Sequence, residues 1–184
     1  WLTADRTSPY AMHQFWLNAD DRDVPRFLKI FTLLPRADVD GLIDAHAQDP
    51  GARTAHRALA RAATALIHGD EEAQQAEKAA AALFSGDVSS LDERTLNDVF
   101  AGAPTSQHPR AMLSGEGVSP VDLLVETGLA KSKREAREFL SNGSVSINGE
   151  KVGPDDRLND HRLLHGSVML LRRGKKNWHV TRWA

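Results

Sequence analysis

The stretch AKSKREAREFLSNGSVSINGEKV, Ala130–Val152, changes period halfway along. Ser132-Lys133-Arg134-Glu135 has the spacing of a capping box, and behind it Ala136, Phe139 and Leu140 fall on one face of a helix. After Gly143 the pattern alternates as SVSI, Asn148-Gly149 is a hairpin turn signal, and KV begins the return strand. Outward from this core, Ser119-Pro120 opens a second helix through VDLLVETG, while VMLLRR and NWHVTRW make a further hairpin around Arg173-Gly174-Lys175-Lys176. The expected fold is α+β in its C-terminal part: a helix pair packed on a small antiparallel sheet.

Upstream the period is helical. AMHQFWLN comes after the turn at Thr7-Ser8-Pro9, and Asp20–Asp23 offer N-caps for a helix through FLKIFTLL, with Pro25 in its first turn. Pro35 and Gly41 punctuate the next segment. ARTAHRALARAATALIHG and DEEAQQAEKAAAALFSG read as two alanine-rich helices ended by Gly69 and Gly86, with Asp70 capping the second. A small all-helical domain of about five helices is expected, with a short sixth between Leu91 and Phe100. The stripe Phe15, Trp16, Phe27, Phe31 is expected in its core. Residues 101–118, rich in Gly, Pro and Ser and lacking an apolar period, read as a linker.

Charge separates the two parts. The 184 residues carry a net charge of only -2, yet from Arg110 onward 13 Lys and Arg stand against 9 Asp and Glu, leaving -6 for residues 1–109. The absence of cysteine excludes disulfides and thiolate metal sites and fits a reducing cytoplasm. No apolar run approaches the roughly 18 residues of a membrane span, and WLTADRTSPY reads as mid-protein sequence rather than a signal peptide, so a cytoplasmic fragment is expected.

On the helix from Ser132, Lys133 and Arg137 share a face with Arg134 beside them, and Lys131 extends the patch towards the helix N-terminus, where free N–H groups favour anions. A second basic cluster, Arg172, Arg173, Lys175 and Lys176, sits at a hairpin tip. The chemistry fits a phosphate backbone; the same spacing also fits ordinary solvated helix charges accompanied by Glu135 and Glu138. His161 and His165 have an H-x-x-x-H spacing, but Gly166 and the adjoining strand pattern argue against a regular helix and no third ligand is evident. No nucleophile elbow, P-loop or dinucleotide loop is present.

SKREAREFLSNGSVSINGEKV resembles the RNA-binding module named after ribosomal protein S-four, of the αL type: a basic helix with an Ala-Arg pair, a glycine turn and a Val-x-Val/Ile-Asn-Gly strand. WLTADRTSPYAMHQFWLNADDRDVPRFLKIFTLL, LIHGDEEA, ALFSGD and LLRRGKKN are similar to the C-terminal half of the bacterial tyrosyl-tRNA synthetase family, so the resemblance runs through nearly the whole chain. Met12 and His13 depart from the two aromatics common before Gln-Phe-Trp, and Pro25 from an aliphatic or aromatic residue.

The resemblance implies a helical anticodon-binding domain over 1–100, a linker over 101–118 and an S-four-like RNA-binding domain over 119–184, with tRNA(Tyr) as partner. It implies that ATP and tyrosine bind a catalytic domain absent from this chain, so that the fragment holds no cofactor, is inactive alone and is monomeric, while its parent is a homodimer. It points to Asp21 as the acidic residue meeting the first anticodon base; an N-cap is the alternative role. Two other readings of the module are a free-standing ribosome-associated RNA adaptor and an RNA-base enzyme such as a pseudouridine synthase. The long helical part counts against the first, and the module's place at the end of the chain against the second.

Overall fold

The structure, a computed structural model, describes residues 6–184; the beginning of the 1–100 domain and of the WLTADRTSPY resemblance lies outside the described residues. The chain divides into two compact units, one taking the chain up to Phe84 together with Arg94–Val99, the other Ser85–Glu93 with Phe100–Ala184.

The N-terminal unit is built from α1 (Pro9–Leu17), α2 (Val24–Phe31), α3 (Arg36–Gln48), α4 (Thr54–His68), α5 (Asp70–Ser85) and α6 (Glu93–Val99). Ser8 caps α1, its hydroxyl accepting from the Ala11 N–H at 3.2 Å, and Pro25 sits in the first turn of α2, where no helical bond is lost. Gly41 lies inside α3 rather than ending an element, and Asp70 is the first residue of α5 rather than its cap: the Gly69 carbonyl already accepts from the Ala73 N–H at 3.1 Å. Met12, Trp16, Val24, Leu28, Val39, Leu59 and the small Ala55, Ala60 and Ala63 form one core. Alanines at this seam let α4 lie close against α1 and α2. The expected aromatic stripe is only partly core. Trp16 is buried and edge-packed on Phe27 at 5.7 Å, but Phe31 is at the surface and Phe15 is 68% exposed.

The C-terminal unit carries α7 (Pro120–Glu126), α8 (Lys133–Ser141) and five strands, β1 (Thr105–His108), β2 (Val145–Ile147), β3 (Glu150–Lys151), β4 (Val168–Arg173) and β5 (Asn177–Trp183). They form one sheet in the order β1-β5-β4-β2-β3. The α+β architecture is as the sequence pattern requires. β2 to β5 pair antiparallel, and Asn148 and Gly149 both take positive φ, 51° and 92°, as a two-residue hairpin loop demands. Val168, Met169, Leu170 and Leu171 are buried in succession, so β4 is covered on both faces; Met169 and Leu171 join Leu123, Leu124, Ala136, Leu140, Val145 and Ile147 in the core.

The segment read as a linker is not structureless: Thr105–His108 pairs parallel with β5, Ser106 opposite Thr181, and the sheet is therefore mixed. Its polar sequence hides it because polar contacts fix it. His108 Nδ1 faces Glu126 Oε1 at 3.3 Å, and a carboxylate only accepts, so that nitrogen carries the proton. His108 Nε2 then accepts from the Ser106 hydroxyl at 2.7 Å, and His179 Nε2 donates to Ser106 Oγ at 2.9 Å. His108 also stacks on Trp183 at 4.7 Å.

Three buried histidines are held neutral. Burial lowers the pKa of His13 below its ordinary 6.5, opposed by the Glu77 carboxylate, and neither of its ring nitrogens has a partner. Burial and then the Arg53 charge lower His56; burial and then His108 lower His179. Unfolded, such rings take up a proton as pH falls through about 6.5, whereas folded they do so only at lower pH. The unfolded chain thus binds more protons in that window, and stability declines as pH drops below about 6.5 until the native pKa values are passed. Thermal melts between about pH 8 and pH 5 should show a falling Tm. His13→Leu should remove part of the fall; a Tm flat across this range contradicts the account.

Candidate nucleic-acid interface

At the start of α8 the cap is formed in a shifted version of the box: Ser132 Oγ accepts from the Glu135 N–H at 3.2 Å, while Glu135 Oε2 accepts from the N–H of Lys131, one residue before the cap, at 2.5 Å. One consequence runs against the expectation of an open anion site there, since Glu135 already places a carboxylate at this terminus. Positive potential has to come from side chains. Ala136 and Leu140 are buried against the core, while Lys131, Lys133, Arg134 and Arg137 are exposed.

These cations are not equivalent. Lys133 Nζ lies 2.7 Å from Asp122 Oδ1 on α7, so its charge is partly answered within the protein. Among the described residues, no ion pair or hydrogen bond engages the side chains of Lys131, Arg134 or Arg137.

The second cluster splits in the same way. Arg173 lies at the end of β4 opposite Val145; its Nη1 donates to the Leu129 carbonyl at 2.7 Å and its guanidinium lies 5.0 Å from the Phe139 ring centre. Arg172 lies 5.0 Å from the Trp178 ring centre and donates to the Lys175 carbonyl at 3.3 Å. Both arginines are half-buried, whereas Lys175 and Lys176 are exposed in the loop between β4 and β5. The Gly174 N–H donates to the Ser144 carbonyl at 2.8 Å, just past α8, so the hairpin tip adjoins the end of the basic helix. Lys151 belongs to the same neighbourhood, its ammonium donating to the Gly143 carbonyl. Its place in the Asn148-Gly149 hairpin is the sequence signal for it.

Asp21 lies elsewhere, in the connection between α1 and α2, and does not cap α2: that position is Asp23, whose side chain makes no cap bond. Asp21 Oδ1 is 3.1 Å from Nε2 of His56, which is fully buried, and the Asp21 carbonyl is 2.9 Å from His46 Nε2. Neighbouring Asp20 is engaged by Arg22 through both carboxylate oxygens, at 2.9 and 3.0 Å, and these bonds lower its pKa to about 2.

Among the described residues, the polar clusters that resemble catalytic or metal sites are engaged in holding the fold. The Glu126-His108-Ser106 line has the order of an acyl-transfer triad, yet Ser106 Oγ also accepts from His179 and the line ties β1 to its neighbours. His165, at φ 49°, bonds the Leu91 carbonyl at 2.9 Å, and His161 sits in a separate 3-10 turn. No group of three or more His, Asp or Glu suited to a metal exists among the described residues, and no helix among them is long and apolar enough to cross a membrane.

Two family models match the chain in succession: "tRNA synthetases class I (W and Y)" over residues 1–85 and "Tyrosine--tRNA ligase SYY-like C-terminal domain" over residues 96–181. A tyrosine--tRNA ligase of Limosilactobacillus fermentum is 41% identical over 179 residues, 97% of this chain and 42% of that protein. One of Bacillus caldotenax is 40% identical over 186 residues, 100% of this chain and 43% of that protein. The chain thus spans less than half the length of these curated relatives. A solution structure of a tyrosyl-tRNA synthetase C-terminal domain is 35% identical, with a TM-score of 0.43, covering 55% of this chain and 98% of that one.

The division between anchored and free cations is testable in the protein alone. Arg173→Ala removes a hydrogen bond and a cation–π contact and should cost about 2 kcal/mol in chemical denaturation. Lys175→Ala should stay within about 0.5 kcal/mol of the parent. Equal effects of the two substitutions contradict the division.

Proposed function

The chain belongs to the tyrosine--tRNA ligase family, and from this we propose that it is the tRNA-binding C-terminal part of such a ligase, positioning tRNA(Tyr) for aminoacylation. The observation that supports this reading is the set of exposed cations gathered by α8 and the β4–β5 hairpin while neighbouring arginines are tied into the fold. In this reading Lys131, Lys133, Arg134, Arg137, Lys175 and Lys176 meet phosphates, where every nucleotide presents the same charge, and Arg172 and Arg173 hold the surface in shape. Asp21 meets the first anticodon base. Its carboxylate can accept two hydrogen bonds from the donor edge of guanine.

Tyrosine activation with ATP then belongs to the length of the relatives that this chain does not span, so the chain binds neither and forms no tyrosyl-adenylate by itself. The same reading has the chain acting in the cytoplasm, monomeric in isolation, with dimerisation residing in the longer protein. A free-standing adaptor shares only the S-four-like module, whereas residues 1–85 match the class I synthetase model.

The test is affinity for tRNA(Tyr) across a salt series. Each phosphate contact releases counterions, so affinity should fall steeply with salt, and the slope should lessen by somewhat under one unit for each contact removed by Arg134→Ala/Arg137→Ala or Lys175→Ala/Lys176→Ala. Asp122→Asn frees Lys133 and should tighten binding. Identical slopes across the set, with folding intact by circular dichroism, would contradict the proposed interface.

A further inference from the structure

The connection between α1 and α2 carries three aspartates, and the fold treats each differently. Asp20 is occupied by Arg22, Asp23 stands at the start of α2, and only the Asp21 carboxylate is both held from beneath and open above. Its side chain is 57% exposed, while the His56 ring bonded to Oδ1 is wholly buried on α4. No described residue bonds Asp21 Oδ2.

The proton positions are set by the partners. His56 Nε2 faces two acceptors, Asp21 Oδ1 at 3.1 Å and the Ala19 carbonyl at 3.2 Å, so in the neutral ring this nitrogen carries the hydrogen. His46 Nε2 likewise donates to the Asp21 carbonyl at 2.9 Å, and the two rings pack edge-on at 5.3 Å. His56 Nδ1 and His46 Nδ1 are buried without partners, as the lone-pair ends of these tautomers. Because both ε nitrogens are engaged as donors, the three residues do not form a cation site.

We propose that His56 is a positioning residue that fixes the Asp21 carboxylate for a base with two adjacent N–H donors on its Watson–Crick edge, and that His46 fixes the backbone carrying it. This rests on the reading of Asp21 as a base-contacting residue. A carboxylate on an unsupported surface loop must be ordered when the base arrives; one already pinned by a buried donor has its accepting direction set beforehand. His46 and His56, on α3 and α4, hold the main chain and the side chain of Asp21 from two separate helices, so the orientation belongs to the folded core rather than to the loop.

The experiment measures the affinity of the whole chain for two tRNA(Tyr) transcripts that differ only in guanine or adenine at the first anticodon position. The quantity read is the ratio of the two, with melts to confirm folding. Asp21→Ala should abolish the guanine preference. His56→Met, close in length but lacking a donor, should reduce it roughly tenfold, the scale of a hydrogen bond to a charged group. His56→Gln places an N–H near the ε position and should retain most of it. In the Asp21→Ala background, His56→Met should change nothing further.

If the parent chain shows no guanine preference, or Asp21→Ala leaves it intact, the base-reading role itself is overturned. If Asp21→Ala abolishes the preference while His56→Met leaves it unchanged, or His56→Gln loses as much as His56→Met, only the positioning role is overturned.

Discussion

The Arg173 guanidinium joins three parts of the C-terminal unit. The β2–β4 register sets Arg173 opposite Val145, and from there its side chain reaches the Leu129 carbonyl in the connection between α7 and α8 and lies over Phe139 of α8. An arginine is suited to this because its planar fork donates along one edge while its face rests on an aromatic ring; a lysine ammonium does not do both together. With the helix pair and sheet fixed at this point, the loop of Gly174, Lys175 and Lys176 adjoins the end of α8 through the Gly174–Ser144 bond. Basic residues far apart in sequence, on α8 and on the β4–β5 loop, thereby occupy one neighbourhood.

Two kinds of polar support recur, and both rely on histidine side chains. His108 and His179 hold β1 to the sheet through Ser106 and Glu126, and His46 and His56 hold the Asp21 connection in the N-terminal unit. In each pair, buried ring nitrogens remain without partners, at His46 Nδ1, His56 Nδ1 and His179 Nδ1. Burial lowers the pKa of His56 in one unit and of His179 in the other, so acid weakens a support in each.

Local signals make much of this legible. The Ser132–Glu135 box, the Asn148-Gly149 turn and the hairpin around Gly174 depend on neighbours in sequence, and each forms where its residues place it. The features that escape depend on distant partners. Strand β1 has no apolar alternation because it is an edge strand pairing by backbone and fixed by a serine and histidines. Arg172 and Arg173 look like Lys175 and Lys176 until the register shows which of them have a ring and a carbonyl to meet. Asp21 looks like a cap in the sequence because its true partners, His46 and His56, lie far along the chain on other helices. Gly41 misleads in the opposite sense, since an exposed helix position accepts glycine at a modest cost of about 1 kcal/mol.

The fold sorts its cations into those tied into the structure and those left exposed, and the proposed interface assigns phosphate to the exposed ones. Residue-by-residue modification of lysine amines and arginine guanidiniums, read by mass spectrometry with and without saturating tRNA(Tyr), tests this central claim most directly. Lys131, Arg134, Arg137, Lys175 and Lys176 should react readily in the free chain and be protected in the complex, while Arg173 should react poorly in both. An Arg173 that reacts freely and gains protection from tRNA, with Lys175 and Lys176 unprotected, would contradict the account.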